Sequence, residues 1–242
     1  MSLIKIKGIV IKETTYKDND KIITILTDNC GKISCIAKGS KRTNSPILAN
    51  SQYLVYSEFV LYRRSSYYYV NSASVISTFY NLRVDFDKLQ AAFEMTKIIN
   101  LVTDENQDTS EILKLFLNTL YILDTKNKEI SFITSIFKIK MFDVLGFSPR
   151  VDTCSQCGQV IKFSTETNNT IFYDYVSNVF LCVSCIKSKD VRRYIKLSQS
   201  TFLAIKYVLK SDVKKLFAFE LKNTKEFNIF GQAFVDAMSN GV

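Results

Sequence analysis

From Ile4 to about Ile76 apolar residues recur at every second position, in runs rich in β-branched and aromatic side chains. Successive side chains of a strand point to opposite faces, so this period predicts half-buried strands. Five such runs follow one another: KIKGIVIKETTY, DKIITILT, KISCIA, QYLVYSEFVLY and YYYVNSASVI. Short turns separate most of them, namely Lys17-Asp18-Asn19-Asp20, Asp28-Asn29-Cys30-Gly31 and Arg63-Arg64-Ser65-Ser66. The connection between the third and fourth runs is longer, from Lys38 to Asn50, and has no helical period. Short strands at this spacing predict a small closed barrel of the oligonucleotide-binding (OB) type, with an SH3-like barrel as the rival.

Near Phe79 the period lengthens. DFDKLQAAFEMTKIINLV sets Phe86, Leu89, Phe93, Ile99 and Val102 at helical spacing behind Asp85, a candidate N-cap. TSEILKLFLNTLYIL and EISFITSIFKIKMFDVL repeat the pattern, the latter stopped by Gly146 and Pro149. Amphipathic helices with short polar links predict a bundle whose aromatic stripes are core. SQSTFLAIKYVL and TKEFNIFGQAFVDAM predict two more helices packed back on it, with Ser198 and Thr224 as caps. The change of period sets a domain boundary near Phe79, giving a barrel domain over 1–78 and a helical domain over 79–242.

Inside the helical half lie two C-x-x-C knuckles, CSQC and CVSC, which contribute Cys154, Cys157, Cys182 and Cys185. Four thiolates at this spacing can converge on one zinc ion, within a zinc-binding segment of 151–188. The loop between the knuckles can fold as a hairpin with Asn168-Asn169 at its tip. There is no histidine in the chain, so any zinc is held by sulfur alone. A closed four-sulfur site leaves no position for water or substrate, which makes the metal a folding staple. Two thioredoxin-like redox pairs would need a βαβ setting that neither knuckle has. The fold class is therefore α+β: an N-terminal OB-fold β-barrel followed by an α-helical domain with a four-cysteine zinc-finger insertion.

Lack of histidine also removes the commonest general base, and there is no Walker loop or G-x-G-x-x-G, so an enzyme is disfavoured. No apolar run is long enough to span a bilayer and no cleavable leader is recognised, so no membrane association and a cytoplasmic location are expected. In reducing surroundings Cys30 and Cys35 are expected to be small hydrophobes in or beside a strand.

The formal charge is +9. It is concentrated at the two ends: residues 1–80 hold 11 basic and 5 acidic side chains, whereas 81–153 hold 9 and 11. A basic barrel suggests a polyanion as partner. Lys38, Lys41 and Arg42, spaced by Gly39 and Ser40, form a flexible basic loop suited to phosphates, unless it is an ordinary solvated loop. Lys12, Lys17, Lys21, Arg63 and Arg64 could lie on the same rim. Tyr67, Tyr68 and Tyr69 could stack with bases, although alternation puts at least one ring on each face and core packing suits most of them.

The order of these parts resembles the RecO family of bacterial DNA repair and recombination mediators. GIVIKETTYKDNDKIITILTDNCGKISCIAKGSKR is similar to that family's N-terminal signature, ending in a basic A-x-G-x-[KR]-[KR] loop, and MFDVLGFSPRVDTCSQCG to the segment entering its first zinc knuckle. The resemblance covers essentially the whole chain. It departs at Ser177-Asn178-Val179-Phe180-Leu181, where family members usually carry a glycine before the second knuckle.

By matching position the resemblance implies structural zinc on the four cysteines and DNA contacts from Lys38, Lys41 and Arg42. It further implies binding of single- and double-stranded DNA, strand annealing, and recombinase loading with RecR on strands coated by single-stranded DNA-binding protein. That protein's acidic C-terminal tail would dock on the helical domain, for which Phe116, Phe137 and Met141 with Lys97, Lys114, Lys138 and Lys140 are suitable materials. No catalysis and a nucleoid-associated location are implied. The alternative is a zinc-ribbon module that binds RNA or a polymerase.

Overall fold

The computed structural model of this 242-residue chain describes residues 3–163, 170–186 and 193–239. It contains two compact units, Met1–Lys126 and Asn127–Val242.

The five alternating runs of the first unit form β1 (Leu3–Tyr16), β2 (Asp20–Thr27), β3 (Lys32–Ala37), β4 (Tyr56–Arg64) and β5 (Tyr67–Ser77). They close into a barrel in the order β1-β2-β3-β5-β4. The β3–β5 pair is parallel, with Cys35 opposite Tyr68, and the remaining pairs are antiparallel. This crossover order is that of the OB barrel and not of an SH3-like one. A bulge between Val10 and Lys12 bends β1 so that one long strand serves both β2 and β4.

Inward positions are Ile6, Val10, Ile23, Ile25, Ile33, Cys35, Phe59, Leu61 and Val70, as the period-two pattern dictates. Cys35 is indeed a small buried hydrophobe, and burial pushes its thiol up to about 12. Cys30 is half-buried in the turn after β2.

Helices α1 (Tyr80–Val84), α2 (Phe86–Val102) and α3 (Ser110–Thr125) belong to the same unit. Asp85 caps α2 as predicted, its carboxylate accepting from the Lys88 N–H at 3.1 Å. The α2–α3 connection is stitched to the β2–β3 turn: Thr109 donates through N to Asp28 O and through Oγ1 to Thr27 O, and Asn106 N donates to Cys30 O. Gly31 sits in this seam with φ +66°, and a Cβ there would lie 2.0 Å from the Asp104 carbonyl oxygen, so only glycine fits.

The stripe predicted as the core of α2 is not wholly core. Phe86 and Phe93 are 76% and 50% exposed, while Ala91, Ala92, Met95, Thr96 and Ile99 are buried. The helix packs through Ala91, Ala92, Met95 and Ile99, and the neighbouring face with Phe86 and Phe93 is left outward.

In the second unit α4 (Ile130–Val144) ends at Gly146, whose φ is +89°. Strands β6 (Thr170–Asp174), β7 (Val179–Cys182) and β8 (Tyr194–Ser198) form a sheet in the order β7-β6-β8, followed by α5 (Gln199–Lys210) and α6 (Lys225–Ser239). Ser198 caps α5 as predicted, accepting from Thr201 N. Thr224 does not cap in that way: its hydroxyl donates to Glu129 Oε2 at 2.6 Å, and Asn223 Oδ1 accepts from Lys225 N.

The unit's core is aromatic. Tyr173 of β6 meets Phe230 of α6 with ring centroids 4.7 Å apart, and Phe180 of β7 meets Phe202 of α5 at 5.1 Å. Phe137 and Met141 are fully buried here, as Phe116 is in the first unit, so none of the three can line a docking groove. The pair Asn168-Asn169 lies outside the described residues. The hairpin that is present joins β6 to β7 through Tyr175–Asn178.

Candidate functional site

The four knuckle cysteines come together, with all sulfur atoms within 4.8 Å of one another. Cys157 Sγ and Cys182 Sγ are 3.9 Å apart. Sulfurs tetrahedrally placed about 2.3 Å from one ion stand about 3.8 Å apart, so the cluster has the size of an all-thiolate metal site.

Each knuckle is held by backbone geometry. Cys154 N donates to Gln159 O and Gly158 N to Cys154 O, closing the first knuckle as a tight turn with Gly158 at φ +73°. Ser155 N donates to Phe180 O, which fixes the first knuckle against β7, and Cys182 N donates to Cys154 Sγ at 3.4 Å. The aromatic packing of Phe180 therefore positions two ligands at once. Asp152 ties the entry of the first knuckle to α5 through Lys206 and Lys210, at 2.8 and 2.7 Å. Those ammonium groups, Lys206 first, hold its carboxyl down at about 2.

Burial pushes the Cys154 thiol up, yet backbone N–H groups from Cys157, Cys182 and Gln156 outweigh it and bring the group down to about 6. Cys185 is pushed up to about 12 by its contacts with the sulfurs of Cys182 and Cys157. One thiolate is thus favoured and further ones resist ionisation, a cluster that a cation would complete.

The hairpin that delivers Cys182 depends on Asp174, Arg193 and Asn178, which belong to no motif. Asp174, at the end of β6, accepts from Val176 N and Ser177 N across the turn and from Arg193 Nε at 2.8 Å. Arg193 Nη2 lies 2.7 Å from the same carboxylate, whose side chain is 5% exposed. Asn178 adopts φ 51°, a left-handed conformation that asparagine tolerates, and is held by Tyr173 Oη and Phe147 O.

Burial raises the Asp174 carboxyl, but Arg193 and the two turn N–H groups leave it below the ordinary carboxylate range. Its contribution is therefore complete at neutral pH and is lost as pH falls below about 4. Asp174→Ala is expected to destabilise the second unit by about 2 kcal/mol, because the amides of Val176 and Ser177 lose their acceptor; Arg193, being partly exposed, can be hydrated and adds little. Denaturant unfolding at pH 7 checks the loss, which should shrink at acid pH.

On the barrel, the predicted basic residues fall into two groups. Lys41 N donates to Asn19 O and Gly39 N to Asp20 Oδ1, so the Lys38–Arg42 loop lies beside the β1–β2 turn that carries Lys17. Lys12 is exposed on β1 opposite Thr24. Arg63 and Arg64 end β4 at the other mouth, where Arg63 shares a cleft of about 310 Å³ with Cys30, Ile33 and Tyr67. They leave the barrel at strand ends opposite Lys17, although Lys38 reaches the Tyr69 ring on the same outer face as Arg64. Lys21 faces the barrel's end and is paired with Glu13 at 2.9 Å, its side chain 16% exposed.

Lys12, Lys17, Lys38, Lys41, Arg42, Arg63 and Arg64 are exposed, and among the described residues none has an acidic partner. No helix among the described residues is long and apolar enough to cross a membrane.

Comparison with known proteins agrees with this geometry along the chain. The family model for Recombination protein O N terminal matches residues 1–79, and that for Recombination protein O C terminal matches residues 83–226. Proteins described as DNA repair protein RecO from Acetivibrio thermocellus, Caldicellulosiruptor saccharolyticus and Alkaliphilus metalliredigens are 37%, 32% and 31% identical to it. Those matches span 93%, 89% and 88% of this chain and 86%, 84% and 84% of the relatives. An OB barrel, a helical unit and a four-cysteine cluster, in the order these matches run, place the chain in the recombination protein O (RecO) family of DNA repair proteins.

Proposed function

We propose that this protein is a DNA-binding recombination mediator that acts by holding strands and not by catalysis. It binds single- and double-stranded DNA, anneals complementary strands, and with RecR loads recombinase on strands coated by single-stranded DNA-binding protein. The observation that carries the reading is the set of exposed cations on an OB barrel without acidic partners among the described residues. Cations without acidic partners on an anchored loop suit phosphates, which every strand offers regardless of sequence. Lys38, Lys41, Arg42 and Lys17 form the primary contact, with Lys12, Arg63 and Arg64 as extensions. Lys21 is left out, since Glu13 already answers its charge.

An annealing assay tests the activity: complementary strands coated with single-stranded DNA-binding protein should pair faster in its presence. An unchanged rate, together with no binding to either form of DNA, would contradict the reading and favour the RNA- or polymerase-binding ribbon module.

The metal proposed for Cys154, Cys157, Cys182 and Cys185 is zinc, whose preference for four thiolates in tetrahedral array matches this donor set. Once bound it would supply crosslinking of the two knuckles. The residues themselves orient the sulfurs and keep them close.

For the acidic tail of single-stranded DNA-binding protein, the outward face of α2 is the favoured dock. A cleft of about 470 Å³ is lined by Tyr53, Phe86, Leu89 and Phe93, with Lys97 Nζ 4.6 Å from the Phe93 ring centroid. An apolar cleft whose rim carries Lys97 next to Glu94 suits a peptide with an apolar end and an acidic residue placed against the ammonium. By contrast Lys140 is held by Asp143 and the Leu209 carbonyl, Lys138 by Gln232 and Lys114 by Glu111. Fluorescence anisotropy with a labelled tail peptide should show about tenfold weaker binding to Phe93→Ala, the loss of a buried ring contact. Equal affinity for the variant would move the dock elsewhere.

A further inference from the structure

Three of the barrel's cations rest on tyrosine rings. Lys17 Nζ lies 5.2 Å from the Tyr16 centroid, Lys38 Nζ 5.1 Å from Tyr69, and Arg63 Cζ 5.7 Å from Tyr68. Tyr68 packs against the barrel core. Tyr69 does not: it pairs across strands with Tyr62, and the two rings stack at 5.3 Å with 16° between their planes.

Leu61 and Val70 point into the core on either side of this pair, so alternation turns Tyr62 and Tyr69 outward. The same period places Arg64 and Tyr67, themselves paired across strands, on that outer face. Tyr67 is 62% exposed. The face therefore presents three rings, with Lys38 over one and Arg64 beside another, and neither cation has an ion-pair partner among the described residues.

A stacked cross-strand tyrosine pair is ordinary in an antiparallel sheet. Here, however, the ring beneath Lys38 is held in place by its stacked neighbour, and the only described partner of that ammonium is the ring itself. A solvent-facing ammonium over a half-buried ring is weakly held, so a base can take its place while the ammonium moves to the adjoining phosphate. Duplex DNA keeps its base faces stacked inside, whereas a single strand offers them. Phosphate contacts cannot make that distinction, because both forms carry phosphates.

We propose that Tyr62, Tyr67 and Tyr69 form a stacking platform for unpaired bases, which gives the barrel its preference for single strands, with Lys38 and Arg64 holding the flanking phosphates. The inference rests on the reading that the barrel binds DNA.

The test uses the full chain at fixed salt with three probes: an oligo-dT, an abasic oligonucleotide of equal length, and a duplex. The wild type should bind oligo-dT more tightly than the abasic strand. Tyr69→Ala should weaken oligo-dT binding about tenfold while changing abasic and duplex binding less than about twofold, and Tyr69→Phe should retain wild-type affinity. Because Tyr69 is half-buried, Tyr67→Ala provides a second variant on an exposed ring, with the same selective loss expected. Equal wild-type affinity for oligo-dT and the abasic strand, or unchanged oligo-dT affinity in both alanine variants, would overturn the platform alone. A wild type that binds none of the three probes would overturn the DNA-binding reading itself.

Discussion

Replacing Cys182 with serine is expected to cost the second unit about 4 kcal/mol or more, among the largest effects available to one substitution. Cys182 is placed by two independent devices, the β6–β7 hairpin and the hydrogen bond from its own N–H to Cys154 Sγ. Its loss leaves three sulfurs, which bind zinc far less well than four, and the ion's contribution to folding goes with it. The aromatic core of Tyr173, Phe180, Phe202 and Phe230 lies beneath the knuckles, so the damage should spread from the cluster into β6 and β7. The barrel has its own core and should stay folded. Hydrogen exchange read by segment checks this: protection should fall around the knuckles and in β6 and β7, and persist in β1 to β5. Treating the wild type with a strong chelator should reproduce the pattern. If elemental analysis finds no transition metal and chelation leaves the melting curve unmoved, the four sulfurs are not a metal site.

Changing Lys38, Lys41 and Arg42 together to alanine is expected to flatten the salt dependence of DNA binding by up to about three units of log-log slope. Counterion release sets that figure, at roughly 0.9 per lost phosphate contact. If the two lines converge near 1 M salt, affinity near 0.15 M should fall about a hundredfold. The loop's fold should survive, because it is anchored by backbone groups: Lys41 N to Asn19 O, and Gly39 N to Asp20 Oδ1. Lys21→Ala is the internal control. Its charge is spent on Glu13, so the slope should stay put. A triple variant with the wild-type slope would reduce the loop to solvated surface.

How far the chain's own pattern revealed these features depends on whether each is local. The five strands were legible because each alternates within its own length, and β1 to β5 fall where the runs predict. Convergence of the cysteines was legible too, since C-x-x-C spacing is itself a geometric constraint. The caps Asp85 and Ser198 act within one turn of their helices.

What was missed is settled by distant partners. Strand β8 has only YIKLS to announce it and exists because β6 offers an open edge. The hydroxyl of Thr224 serves Glu129, 95 positions away, instead of its own helix. Helix period alone could not tell that α2 would bury Ala91 and Ala92 and leave Phe86 and Phe93 outside. Nor could turn composition say that Arg63 and Arg64 lie at strand ends opposite Lys17, since that follows from strand order. Tyr62 stood outside the tyrosine run and became visible only through its register with Tyr69.

The proposed binding of DNA strands through their phosphates sets a specific expectation for this RecO-family protein. Competition binding of single-stranded DNA, duplex DNA and structured RNA to the full chain, repeated across a salt series, tests it most directly. Binding to both DNA forms is expected, with a steep negative log-log slope, a preference for the single strand, and indifference to base sequence. Tight binding to structured RNA alone, or DNA binding that ignores salt, would contradict it.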